Sequence, residues 1–140
     1  MHNAPAVSYP VGRSSFALAA MTVAWLAGAA GIALWSLQSQ VRSAAAIAAV
    51  GVLLAAGLVA LRTWLRSPRG TLSWDGLGWT WTTTADAQAG QPEVALDTQR
   101  VLLLRWDGAR RPEWLWLERA AQPARWNDLR RAVYSRASPP

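Results

Sequence analysis

The sequence predicts a membrane α + β protein: an N-terminal two-helix transmembrane hairpin followed by a small antiparallel β-sheet module with one C-terminal amphipathic helix. Three observations carry that reading. Two uncharged apolar stretches, Ser14 to Val41 and Ser43 to Leu61, are separated only by Arg42; short alternating apolar segments punctuated by Asp-Gly follow Gly70; and Trp126, Leu129 and Val133 recur at helical spacing. The expected organisation is an irregular lead over 1–13, a helical hairpin over 14–66 with spans near 14–37 and 44–65, and a cytoplasmic module over 67–140.

The first apolar stretch would reach about 42 Å as a helix, against roughly 30 Å of bilayer hydrocarbon, and the second is about the minimum for a crossing. Lipid leaves only helices and closed barrels able to satisfy the backbone, so a helix pair with a short turn near Gln38 to Ser43 follows. The alternative is a secretory signal peptide led by Arg13, with Ala27-Gly28-Ala29-Ala30 as a cleavage-like run, but signal peptides seldom run straight into a second span. In the first span Ala24 with Gly28, and Ala27 with Gly31, form small-xxx-small pairs; Ala45 with Ala49, and Gly51 with Ala55, do so in the second. Such pairs let helix backbones approach closely, within the hairpin or between two copies in a homodimer. Trp35 and Trp64 fall near span ends, where indoles favour the headgroup region, and Trp25 lies deeper, between helices.

The net charge is +6, and all 14 basic residues are Arg. Arg13, Arg62, Arg66 and Arg69 flank the spans, with only Arg42 in the turn, which predicts a multi-pass chain with both termini in the cytoplasm and the turn outward. After Gly70 the acids nearly balance the Arg residues, so nucleic-acid binding is not expected despite the interleaved tryptophans.

Pro68 and Gly70 end the second helix. Asp75-Gly76 between Thr71 to Trp74 and Leu77 to Thr83 is a hairpin signal, with Leu72 and Trp74 sharing one face and Trp79 and Trp81 another. Ala85 to Pro92 is expected to be a loop, and Glu93 to Leu96 a short strand with Val94 and Leu96 on one side. In Val101 to Leu104 and Trp114 to Leu117 both alternating faces are apolar, which predicts central strands covered on both sides. Pro123 begins the last helix, and Ser135 to Pro140 a frayed end. The expected sheet has four or five strands, and its one helix leaves a Trp-rich face uncovered. Indoles suit such a boundary between apolar and wet surroundings.

Chemistry is sparse. There is no cysteine and one histidine, His2. No metal-ligand spacing, no cofactor motif and no phosphate loop is present, since Gly76 and Gly78 lack a following helix. Asp75 and Asp107 each precede Gly and read as turn residues. Glu113 and Glu118 read as solvated strand ends, and Asp97 as a strand-end turn with Thr98 and Gln99. Neither span carries an ionisable group to conduct a proton or ion. The chain is therefore expected to be neither an enzyme nor a transporter.

The double-span hairpin, the Arg/Pro hinge, the small β module and the terminal Pro123, Trp126, Leu129-Arg130-Arg131 segment together resemble the YgfX family of small bacterial inner-membrane proteins, over roughly Tyr9 to Arg136. That resemblance implies a non-enzymatic, toxin-like partner of a small cytoplasmic assembly factor for flavinylated succinate dehydrogenase, linked to inhibition of the cell-division and cell-shape cytoskeleton. The strands here are heavier in Trp than that family's. Trp114, Trp116, Trp126 and Arg130 are the candidate partner-binding residues; Ala24, Gly28, Gly31, Gly51 and Ala55 are the candidate helix-packing residues. Besides the lipid bilayer, the expected partner is a small cytoplasmic factor, a cytoskeletal protein or a larger membrane complex. The alternative reading is a structural accessory subunit of such a complex, held through its spans. A lipid-surface sensor with a pleckstrin-like module is a third reading, for which four or five strands are too few.

Overall fold

The computed structural model describes residues 5–38, 43–108 and 110–135. The expected turn with Arg42, His2 and the tail beyond Ser135 lie outside these residues. The chain divides into two compact units, a helical pair over Ser15–Arg66 and a sheet module made of Met1–Ser14 with Ser67–Pro140.

The helical unit consists of α1 (Ser15–Gln38) and α2 (Ser43–Leu65), both long and apolar enough to cross a membrane. Half-buried residues recur at spacings of three and four, at Trp25, Gly28, Ala29 and Ile32 on α1 and at Ala46, Ala49, Leu53, Gly57, Ala60 and Trp64 on α2. The seam is keyed by an indole, as expected for Trp25: its Nε1–H donates to the Leu53 carbonyl at 2.9 Å. A methyl group at Gly57 would lie 2.7 Å from that nitrogen, so only glycine leaves room for the ring. Gly28 packs against Leu53, whereas Ala24, Gly31, Gly51 and Ala55 are exposed, and a methyl group at Gly31 or Gly51 would meet nothing. Those four residues do not pack the hairpin, because Trp25 rather than a small-residue stripe sets which faces meet. Hydroxyls on the helices turn inward to the backbone, Thr22 to Leu18 and Thr63 to Val59, the way a polar side chain is satisfied without water.

The sheet module has six antiparallel strands in sequence order: β1 (Val7–Val11), β2 (Gly70–Trp74), β3 (Trp79–Thr82), β4 (Ala87–Asp97), β5 (Val101–Gly108) and β6 (Glu113–Glu118). Within the expected irregular lead, Val7–Val11 is thus a strand. Val7, Tyr9 and Val11 alternate into the core, and Pro10 is tolerated because β1 lies at the edge of the hydrogen-bonded order. The sheet curls until its first and last strands meet, where the Tyr9 hydroxyl donates to the Glu118 carbonyl at 2.7 Å and accepts the Gln122 amide at 3.2 Å.

The Asp-Gly hairpin forms, with Gly76 at φ +100, but β3 starts only at Trp79 because the Asp75 carboxylate caps the amides of Leu77 and Gly78, each at 2.8 Å. Leu72 with Trp74, and Trp79 with Trp81, face the core as expected. The expected loop over Ala85 to Pro92 instead belongs mostly to β4, after a tight turn in which the Thr83 amide donates to the Asp86 carbonyl. Gly90 sits opposite Gly108, and a methyl group on Gly90 would fall 2.4 Å from the Asp107 carbonyl and 2.7 Å from the Trp106 ring. Pro92 lies past the end of the β3 ladder, where its missing N–H breaks no pairing. A register shift between Val94 and Leu96 turns Leu96 outward, separating two residues expected on one side.

Two short 3-10 turns, Arg119–Ala121 and Pro123–Arg125, lead into α3 (Trp126–Tyr134). Its buried residues Trp126, Leu129 and Ala132 join one cluster with Tyr9, Leu72, Trp81, Trp106 and Leu115, and every member of that cluster lies outside α1 and α2.

Candidate functional site

The two-sided burial expected of β5 and β6 is not seen. Leu102, Leu104 and Trp106, with Leu115 and Leu117, are buried; on the opposite face Leu103 and Trp116 are half-buried and Trp114 is 51 % exposed. An apolar run in sequence reports hydrophobicity, not what covers it. Antiparallel register sets Leu103 beside Trp116 and Arg105 beside Trp114, while Glu93 faces Arg105 at 3.8 Å. These residues form an outward aromatic patch bordered by an exposed ion pair worth at most about 1 kcal/mol.

Trp126 and Arg130 do not belong to that patch. Trp126 is 2 % exposed, stacks at a tilt against Tyr9 with ring centres 5.8 Å apart, and donates from Nε1 to the Gln99 carbonyl at 2.9 Å. It is a core residue, since the apolar face of a short amphipathic helix is the face that must be buried. Arg130 lies on the same helix and grips Asp97 at 2.6 Å. Asp97 also accepts the Tyr134 hydroxyl at 2.7 Å and, through its other oxygen, the Gln99 amide at 2.7 Å, with Gln99 in the left-handed region at φ 67. The expected turn role of Asp97 is therefore present, together with a larger one: it clamps α3 to the β4–β5 connection.

Burial opposes ionisation of Asp97, yet the Tyr134 hydroxyl, the Gln99 amide and the Arg130 guanidinium outweigh it and hold the carboxyl below its usual range. A depressed carboxylate pKa stabilises the fold above the unfolded value of about 3.9, and that stability is lost as pH falls through the folded value. Urea unfolding from pH 7 down to pH 2 should show such a loss in the native chain, and a smaller slope in Asp97→Asn.

The remaining acids are structural. Asp75 is the cap described above, its pKa lowered by the Gly78 and Leu77 amides. Asp107 is in β5 opposite Gln91 rather than in a turn. Glu113 accepts the Trp81 indole N–H at 3.1 Å and Glu118 accepts the Ser14 hydroxyl, so neither is merely a solvated strand end. Among the described residues no group of three His, Cys, Asp or Glu side chains converges for a metal. Arg13 lies between β1 and α1, Arg62 is in the last turn of α2, and Arg66 and Arg69 lie between α2 and β2. In the helical unit an open apolar groove of about 600 Å³ is lined by residues including Met21, Trp25, Leu54 and Leu58.

No family model, curated protein or solved structure matches this chain.

Proposed function

We propose that the chain is a non-catalytic membrane protein that presents its sheet module to a protein partner, the role implied by the likeness to the YgfX family. The observation that carries this reading is the outward patch beside Arg105, in which Trp114 is exposed and Trp116 and Leu103 are half-buried. Exposed aromatic and Arg residues of this kind are enriched at protein interfaces. Membrane attachment is supported by α1 and α2, and the same-sided, multi-pass arrangement by the pairing of β1 with β2 on either side of the hairpin. The cytoplasm of a bacterial cell is the side favoured by Arg13, Arg62, Arg66 and Arg69.

Trp114→Ala with Trp116→Ala should leave the unfolding midpoint within about 1 kcal/mol of the parent, because Trp114 is half-exposed and Trp116 lies outside the core cluster. The same variant should lose the proteins crosslinked to the parent in native membranes and identified by mass spectrometry. Unfolding of the variant would make these residues core and overturn the interface reading.

The accessory-subunit reading is favoured by the exposed glycines on the hairpin. A methyl group at Gly31 or Gly51 meets nothing and both residues are exposed, so Gly31→Leu and Gly51→Leu should leave the hairpin intact. If either abolishes co-purification of multi-span subunits while Trp114→Ala does not, the spans are the binding element.

The lipid-surface reading gains from the strand count, since the curled sheet has six strands and a C-terminal helix rather than the four or five strands that told against it. Retention of the sheet module by anionic vesicles would favour it.

A further inference from the structure

We propose that β1 is a topological latch: the sheet module closes only when the hairpin crosses the bilayer twice and returns the chain to the side on which β1 was left. This rests on the membrane reading of α1 and α2. In chain order β1 precedes the hairpin and β2 follows it, yet the two strands are paired from Val7 with Trp74 to Val11 with Gly70. Val7, Tyr9 and Val11 are buried to 3 %, 0 % and 4 % exposure, so β1 supplies part of the core rather than a decoration on it. Tyr9 alone ties three elements, through its hydroxyl to Glu118 at the end of β6 and to Gln122 before α3, and through its ring to Trp126.

After a single crossing, β1 would be separated from the rest of the sheet by roughly 30 Å of hydrocarbon. The β2 edge would then be unpaired, and Leu72, Trp74 and Trp126 would lose the strand that covers them. An open strand edge beside wetted core aromatics is a template for aggregation and a site of local opening. Only copies with two crossings would present a folded module, so insertion of the hairpin governs exposure of the interaction patch.

The chain contains no cysteine, and Ser8 and Ser73 are cross-strand partners on the exposed face with hydroxyl oxygens 3.1 Å apart. Antiparallel partners have Cα separations of about 4.5–5.5 Å, within the range a disulfide bridges. The full-length chain carrying Ser8→Cys and Ser73→Cys, oxidised in carbonate-washed membranes, should form the intramolecular disulfide. Adding Val52→Arg and Leu58→Arg, which place two charges in the otherwise uncharged middle of α2, blocks the second crossing and should abolish the crosslink. Inserting an unrelated apolar span between Arg66 and Ser67 of that blocked chain restores an even number of crossings and should restore it. A crosslink that persists in the blocked chain, that never forms in the parent membranes, or that is not rescued by the added span overturns the latch. If the parent forms the disulfide but is washed free by carbonate, the membrane reading fails while the β1–β2 pairing stands.

Discussion

Tyr9→Ala should destabilise the sheet module by about 4 kcal/mol, the scale measured for truncating a buried aromatic residue, with the loss of two hydrogen bonds included. The side chain is fully buried, and its hydroxyl bridges the Glu118 carbonyl and the Gln122 amide. Against a total stability of about 5–15 kcal/mol for a small domain, that loss brings the module near its unfolding threshold. Tyr9→Phe keeps the ring against Trp126 and leaves the two backbone groups without the hydroxyl, so its cost should be smaller, about 1–3 kcal/mol. Urea unfolding followed by tryptophan fluorescence separates the two. If Tyr9→Ala and the parent unfold at the same denaturant concentration, β1 is not part of the cooperative unit.

The elements legible in the sequence are those whose signal is local. The two helices follow from unbroken apolar stretches, the β2–β3 hairpin from Asp75-Gly76 between alternating residues, and α3 from the spacing of Trp126 and Leu129. Misread elements owe their form to distant partners. Pro10 and Pro92 argue locally against strands, yet one lies on an edge strand and the other beyond the ladder of β3, positions visible only once strand order is known. Gly90 and Gly108 read as loop residues, but they face each other across β4 and β5 to accommodate the ring of Trp106. Pairing of β1 with β2 across the whole hairpin has no local signature beyond the alternation of Val7, Tyr9 and Val11.

The candidate site divides along the same line. Trp114 reaches the surface and Trp116 is half-buried, because the face of β6 opposite Leu115 and Leu117, which its apolar run predicted to be covered, is open. Trp126 and Arg130 fail as contact residues for opposite reasons. The first is the largest of the three side chains that α3 buries in the core, and the second is already held by Asp97, an acid that sequence proximity never connects to it. Residue type suggests what can make an interface, but prior engagement within the fold decides what is left to make one. Of the five helix-packing candidates Gly28 alone meets the hairpin seam, since the indole of Trp25 chooses the seam at Gly57 and leaves Gly31 and Gly51 facing outward.

Replacing residues 13–68 with the dipeptide Asn-Gly should convert the chain into a water-soluble, cooperatively folding six-stranded domain. Val11 and Gly70 are already cross-strand partners, so Gly12 and Arg69 stand where a two-residue type I′ turn joins adjacent antiparallel strands. The core cluster contains no residue of α1 or α2, and nothing in it is removed by the excision. One identifiable loss is the Ser14 hydrogen bond to Glu118, about 1 kcal/mol, and shortening the β1–β2 connection offsets part of it by reducing the entropy of loop closure. A module of this size sits near the lower limit for an independent core, which makes the experiment demanding. Five of its tryptophans, Trp74, Trp79, Trp81, Trp106 and Trp126, are buried at 7 % exposure or less, so folding is read directly from their fluorescence. A soluble monomer with a single sharp urea transition, lost in the Tyr9→Ala background, would establish that sequence on both sides of the hairpin encodes one domain. A soluble chain with broad, non-cooperative unfolding would mean that the hairpin stabilises the sheet beyond anything its core residues require.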